Sequence, residues 1–154
     1  MSLKHAFPCV FLLFACLKLQ AQQPVKKIGN ITKVNITGQQ IKITAENAFA
    51  EITIYSPSVV RVRIDKQPLN KDFSYAVVTA PVPTKFNTQQ TQKDLTITTD
   101  SLQLQISKSP FAIRFLTTDG RIINEDEEGL TTSWVNDAVT TYKKMQDDER
   151  FIGL

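Results

Sequence analysis

The sequence predicts an all-β fold, an antiparallel β-sandwich, and three observations support that prediction. Short runs in which apolar and polar residues alternate recur along the chain, and a period of two places every apolar side chain on one face of a strand. Turn-forming residues separate these runs at close intervals. No window shows a sustained 3.6-residue period, so we expect no amphipathic helix.

The clearest alternation lies between residues 102 and 124. Residues 102–106 alternate, and Pro110 interrupts the pattern because proline has no N–H to donate to a ladder. Residues 111–115 then resume the alternation. Asp119 and Gly120 are typical of a tight hairpin turn, after which 121–124 would form the returning strand. The sequence therefore predicts antiparallel hairpins with one buried face.

The same reasoning predicts strands earlier and later in the chain. Turns are expected at Gly38, at Glu46 and Asn47, and at Pro57. The remaining alternating or β-branched runs that we interpret as strands are 34–36, 41–43, 48–55, 60–64, 73–77, a short one near Phe86, 95–97, and one around 140–142.

Residues 1–21 have the pattern of a secretory signal peptide. Lys4 gives a basic start, residues 6–17 are mostly apolar, and Ala21 is a small residue suited to cleavage. The apolar run falls short of the roughly 20 residues that span a bilayer, so no membrane span is expected. Two alternatives stay open: a lipoprotein signal with a lipid anchor at Cys16, and a buried N-terminal helix. After the leader we expect a flexible lead-in over 22–30 and the sandwich over 31–154.

Removal of the leader changes the chemical inventory of the chain. Cys9, Cys16 and His5 all lie within it, so the mature chain has neither histidine nor cysteine. Disulfides, histidine-based triads, thiol nucleophiles and the usual zinc sites are thereby excluded. Loss of Lys4 and Lys18 lowers the basic count from 18 to 16, against 15 acidic residues. This nearly neutral balance gives no electrostatic reason to expect nucleic acid as a partner.

Two acidic clusters are the obvious candidates for chemistry. Glu125–Glu128 suggests a carboxylate pair or a calcium site, but cleavage of a glycosidic bond needs two carboxylates held roughly 5–10 Å apart across a sugar. Neighbours on one loop do not supply that geometry, so we interpret the cluster as a solvated turn. The same interpretation applies to Asp147, Asp148 and Glu149. We expect no catalytic, cofactor-binding or metal-binding residue in this chain, and no cofactor; the sequence does not identify substrate-binding residues.

Aromatic and basic residues give weaker signals. Trp134, Tyr142 and Tyr55 have faces that suit a sugar ring, but a single tryptophan in a sandwich belongs more often to the core. Arg61 and Arg63 lie on the polar side of their strand, which predicts surface charge or a cross-strand ion pair rather than an anion clamp.

Four segments together resemble a known family. Residues 58–64, 73–77 and 102–124 resemble strands and hairpins in the N-terminal domain of glycoside hydrolase family 31, which contains α-glucosidases and α-xylosidases. The most specific piece is 149–154, which is similar to the family's Glu-Arg-Phe-aromatic-Gly-Leu-Gly-Glu segment. Ile152 stands at the aromatic position.

The resemblance implies a galactose-mutarotase-like β-sandwich that packs against a downstream (β/α)8 barrel. In that family the barrel carries the aspartate nucleophile and the acid/base aspartate, and this sequence stops before it. We therefore expect a secreted or periplasmic non-catalytic module whose α-linked oligosaccharide is bound through the barrel. Alone, such a module would expose a barrel-facing surface and self-associate.

Two alternatives of other classes remain. One is a stand-alone secreted carbohydrate-binding or adhesion sandwich. The other is an aldose epimerase, suggested by fold analogy only, which the missing histidines disfavour.

Overall fold

A computed structural model describes residues 24–71, 73–147 and 149–150. These residues contain β-strands and no helix. The predicted leader, with Cys16, and residues 151–154 of the family-like segment lie outside the described residues. The all-β prediction is confirmed.

Thirteen strands lie in the described residues. In chain order they are β1 (Lys26–Lys27), β2 (Ile31–Thr37), β3 (Gln40–Ala45), β4 (Phe49–Ser56), β5 (Val59–Asp65), β6 (Asn87–Gln90), β7 (Asp94–Thr98), β8 (Leu102–Lys108), β9 (Phe111–Thr117), β10 (Ile122–Asp126), β11 (Thr132–Val135), β12 (Ala138–Thr141) and β13 (Lys143–Lys144).

The strands form three antiparallel sheets. The first has four strands in the order β2-β3-β4-β5, and the second has six in the order β13-β10-β9-β8-β7-β6. A small third sheet has the order β1-β11-β12. Neighbours in the two large sheets are mostly consecutive in sequence, because short turns join them. Gly38 (φ 56°) and Gly120 (φ 89°) take the left-handed conformation that two of these turns need.

One apolar core lies between the four-stranded and six-stranded sheets. Alternation places every second side chain of each strand on this inner face. Each buried aliphatic side chain of this size contributes about 1.5–3 kcal/mol. The fully buried side chains are Ile41, Ile43, Ile52, Ile54, Leu95, Ile97, Leu104, Ile106, Phe111 and Ile28.

The small third sheet closes one end of this core. Trp134 on β11 is 6% exposed and belongs to the core cluster. Ile28 follows β1, is also buried, and its N–H donates to the Thr132 carbonyl at 3.0 Å. The composition of residues 22–30 predicted a flexible lead-in, whereas Lys26–Lys27 pairs with β11 and Ile28 fills the core. The sandwich therefore begins before residue 31.

The long connection from β5 to β6 differs from the sequence prediction. Residues 73–77 alternate as a strand would, yet they form no strand and pair with no sheet. The Ser74 hydroxyl instead accepts hydrogen bonds from the backbone N–H groups of Ala76 and Val77, at 3.2 and 3.1 Å. This local turn replaces the extended conformation, so the strand prediction for 73–77 is wrong.

Substitution of Gly29 by alanine is expected to destabilise the fold by about 3 kcal/mol. Gly29 has φ 81°, and an added Cβ would lie 2.5 Å from Glu46 Oε2 and 2.8 Å from Glu46 Cβ. It would displace the carboxylate that accepts hydrogen bonds from Asn30 N and Nδ2. Gly38→Ala is the matched control: its φ is also positive but nothing lies within 4 Å, so about 1 kcal/mol is expected. Urea denaturation followed by circular dichroism measures both, and equal losses would contradict the crowding at Gly29.

Candidate functional site

A polar pocket lies on the outer face of the six-stranded sheet. Its volume is about 330 Å³, and its lining includes Asp94, Gln105, Ser107, Arg114, Glu125 and Lys144.

Strand register assembles one row of this pocket. Gln105 on β8 lies opposite Arg114 on β9, Arg114 opposite Glu125 on β10, and Glu125 opposite Lys144 on β13. The alternate positions point inward, for example Ile113 next to Arg114. The alternation that builds the core thus also places four polar side chains side by side across four strands.

Glu125 is the central residue of this row. It is 3% exposed, and its carboxylate lies 2.7 Å from Arg114 Nε and 3.4 Å from Lys144 Nζ. Gln146 Nε2 donates a further hydrogen bond at 3.2 Å. Burial alone raises the pKa of the Glu125 carboxyl, but the hydrogen bonds from Gln146 and Arg114 and the two positive charges outweigh it. The pKa is therefore lowered, and the group is an anion at neutral pH.

Asp126, next along β10, has a different structural role. Its Oδ2 accepts the backbone N–H of Ile113 at 2.8 Å, and its Oδ1 lies 2.5 Å from Lys143 Nζ. The Asp126 carboxylate thus supplies β9 with the hydrogen-bond acceptor that a backbone carbonyl of a neighbouring strand would otherwise provide. The solvated-turn prediction is wrong for Glu125 and Asp126, because the acidic run begins inside a strand, whereas the exposed Glu128 does lie in a turn.

The two carboxylates at this pocket are held by contacts within the sheet itself. Glu125 and Asp126 each form ion pairs with cations of the same sheet. The lowered pKa of Glu125 makes this carboxyl a poor general acid at neutral pH. Arg114 and Lys144 remain about half exposed at the pocket. Within the described residues no group of three or more acidic, histidine or cysteine side chains is placed to hold a metal ion.

The second acidic cluster is only partly described. Asp147 is exposed, Asp148 lies outside the described residues, and exposed Glu149 accepts a hydrogen bond from Gln146 N at 2.8 Å.

The structure does not bring the three aromatic candidates together. Trp134 is buried in the core, which confirms that prediction. Tyr55 is half-buried at the end of β4, while Tyr142 is exposed and its backbone bonds to Glu127 and Thr131 near the small sheet. No shared sugar platform is formed by these residues.

The basic pair on β5 behaves as the sequence predicted. Arg63 Nη1 lies 3.3 Å from Glu51 Oε1 on the adjacent strand, at directly opposed positions of the ladder. Arg61 occupies the same face, opposite Thr53. The cross-strand ion pair is confirmed for Arg63.

Glu125→Gln is expected to lower stability in a pH-dependent way. Because the folded-state pKa of Glu125 is depressed, its contribution is present above the ordinary value of 4.5 and is lost as pH falls through the lower folded-state pKa. We expect the variant to lose about 1 kcal/mol at neutral pH and to converge with the parent in strong acid. Urea midpoints measured across that range test this. Exposed Glu128→Gln is the control, and a gap that widens in acid would refute the assignment.

The architecture and the pocket together define a class: an antiparallel β-sandwich with a polar outer face. Residues 50–154 match the family model described as the glycosyl hydrolase 31 N-terminal galactose mutarotase-like domain. The chain belongs to this family, so the resemblance noted in the sequence is confirmed.

Known relatives share the module at low identity. The chain is 23% identical over 129 residues to α-glucosidase 2 of Bacillus thermoamyloliquefaciens. The aligned region covers 82% of this chain and 16% of the relative. A Flavobacterium johnsoniae GH31 dextranase complexed with glucose has a TM-score of 0.72 at 19% identity, covering 80% of this chain and 16% of that one.

The cycloalternan-forming enzyme of Listeria monocytogenes has a TM-score of 0.58 at 19% identity, covering 72% of this chain and 10% of that one. The chain thus spans about a sixth, or less, of the length of these relatives. Among the described residues no helix is long and apolar enough to cross a bilayer.

Proposed function

We propose that this chain is the non-catalytic N-terminal module of an exported α-glycosidase, and that it supports a catalytic barrel encoded with it. The observation that carries the proposal is the match of residues 50–154 to an N-terminal domain family of glycosyl hydrolase 31. The named relatives include an α-glucosidase and a dextranase, so α-linked glucosides are the proposed substrate class. Export rests on the signal-peptide pattern of residues 1–21.

The chemistry of the described residues is compatible with a supporting role. Glu125 and Asp126 stabilise the sheet through ion pairs and a backbone hydrogen bond, so both carboxylates already have structural partners. A barrel that supplies its own carboxylates would need from this module only a stable surface.

The coding sequence beyond codon 154 tests the proposal. The expected result is a reading frame that continues with Gly-Glu and a long α/β-barrel sequence, whose product hydrolyses an α-glucoside. A stop codon at that point in the intact gene would overturn the proposed role.

A second candidate function is carbohydrate binding by the sandwich itself, and the polar pocket favours it. Gln105, Ser107 and the half-exposed Arg114 offer donors and acceptors that suit sugar hydroxyls. Isothermal titration calorimetry with isomaltotriose tests this candidate. Binding that Gln105→Ala weakens tenfold or more would establish it, and the absence of heat at millimolar sugar would exclude it.

A further inference from the structure

The connection between β5 and β6 exposes a row of apolar side chains. Tyr75 is 92% exposed and Val78 is 89% exposed. We call the surface formed by these and their neighbours the 73–82 face; its members are Phe73, Tyr75, Val77, Val78 and Val82, with Val59 from the start of β5. Single exposed apolar residues are common on surfaces, but here four of the six line one groove and the other two form a ring pair, which indicates an interaction site.

The end of the connection next to the 73–82 face is fixed to the four-stranded sheet. Val82 N donates to the Tyr55 carbonyl at 2.9 Å, and Gln39 Nε2 donates to the Val82 carbonyl at 2.9 Å. Near the other end, Arg63 Nη2 donates to the Asn70 carbonyl at 3.1 Å. The exposed residues are therefore held between anchored ends, which lowers the entropy lost when a partner covers them.

Composition distinguishes this stretch from an ordinary surface loop. Residues 73–84 include no charged side chain, in a chain that is 21% charged. The alternation of Phe73, Tyr75 and Val77 is the pattern of a half-buried strand, yet no described residue supplies a burying surface. Beside them a groove of about 330 Å³ is lined by Tyr55, Val59, residues 76–80 and Val82.

The face lies at the same end of the sandwich as the last described residues. The β4–β5 turn touches the β7–β8 turn there, since Thr99 Oγ1 donates to the Pro57 carbonyl at 2.5 Å. Leu102, just after that turn, pairs with Thr117 at the end of β9. The turn that follows β9 and the start of β10, residues 120–123, share a surface groove with Gln146 and Glu149. Glu149, one of the last described residues, therefore lies at the same end of the sandwich as the 73–82 face.

A sugar is a poorer fit to this face than a protein surface. The Phe73 and Tyr75 rings meet edge to face, with centroids 4.7 Å apart and planes at 84°, so they offer no common plane for a sugar ring. The other members of the face are aliphatic valines, which pack well against protein side chains and offer hydroxyls no hydrogen bond.

We propose that the 73–82 face is the docking surface for the catalytic domain that the proposed function joins to this module. The catalytic domain covers the valines and both rings with an apolar surface of its own. This inference rests on the proposed function and adds the place of contact.

A charge placed on the face provides the first test. Val78→Asp is introduced into the 154-residue chain, called the short form, and into the product of the continued reading frame, called the long form. Val139→Asp is the matched control. Val139 is 60% exposed on the small third sheet at the other end. The expected result is that Val78→Asp leaves the Tm of the short form unchanged and lowers that of the long form by 5 °C or more. Val139→Asp should change the Tm of both forms by the same amount. If Val78→Asp also changed the Tm of both forms by the same amount, the proposal would be overturned.

Covalent surface labelling provides the second test and identifies the occupant. Tyr75 and Val78 should be labelled strongly in the short form at low concentration and at least fivefold less in the long form, while Val139 is labelled equally in both. Equal labelling of Tyr75 in both forms overturns the proposal. Protection of Tyr75 in the long form that is lost on dilution also overturns it, in favour of a second copy, because contact with a domain of the same polypeptide does not depend on concentration. Protection of Tyr75 by isomaltotriose overturns it in favour of a sugar site.

The two proposals fail in distinguishable ways. If no catalytic domain follows in the gene, the proposed function fails and the docking surface with it. If such a domain follows and hydrolyses α-glucosides while the 73–82 face stays fully labelled, only the docking inference is wrong.

Discussion

Substitution of Ile52 by alanine is expected to lower the free energy of unfolding by about 4 kcal/mol. Ile52 is fully buried on β4, and its ladder partners are Ile41 on β3 and Val62 on β5. Its truncation removes apolar contacts and leaves a cavity between two sheets that cannot close without moving strands. For a domain of this size such a loss is a large part of the total stability.

Urea denaturation monitored by far-ultraviolet circular dichroism measures the effect. Lys42→Ala is the control, since Lys42 is exposed on the neighbouring strand and should change stability by less than about 0.5 kcal/mol. A loss below about 1 kcal/mol for Ile52→Ala would mean that the two sheets do not share the core described here.

Trp134→Ala is expected to be equally severe, at about 4 kcal/mol. Trp134 is the single tryptophan, is 6% exposed, and connects the small third sheet to the main core. Its loss would release β11 and its pairing with β1 as well as empty a large volume. Thermal unfolding followed by circular dichroism should show a drop in Tm of well over 10 °C for a domain near this size.

Val139→Ala is the matched control for Trp134. Val139 lies directly opposite Trp134 in the β11–β12 ladder but is 60% exposed, so its truncation should cost less than about 1 kcal/mol. Trp134→Phe should recover part of the stability, because the phenyl ring refills part of the site. If Trp134→Ala and Val139→Ala lowered the free energy of unfolding by the same amount, the small third sheet would not be anchored through the core.

The sequence was sufficient for most of the sheet structure because alternation and turn residues are local signals. Leu104 and Ile106 alternate with polar neighbours, and the Asp119-Gly120 turn fixes the hairpin that follows; both features are present in the structure. Residues 73–77 carry the same alternation, but a strand also requires a neighbour to pair with. Single-sequence periodicity does not report whether such a neighbour exists.

The polar pocket was harder to predict. The acidic run 125–128 reads as a solvated turn from composition, whereas Glu125 and Asp126 complete β10. A signal was nevertheless present: Arg114 and Glu125 lie at equal distances on either side of the Asp119-Gly120 turn, so a hairpin places their opposite charges face to face. Lys144 could not be added from sequence, because β13 joins the sheet from a distant part of the chain.

We propose that this β-sandwich is part of a glycoside hydrolase and does not itself perform the hydrolysis. The most direct measurement is the rate at which purified residues 22–154 release p-nitrophenol from p-nitrophenyl α-glucoside, beside an active family 31 dextranase as positive control. We expect a rate equal to that of buffer alone at every concentration of the module. Turnover that rises in proportion to the concentration of residues 22–154, in a preparation free of other glycosidases, would contradict it.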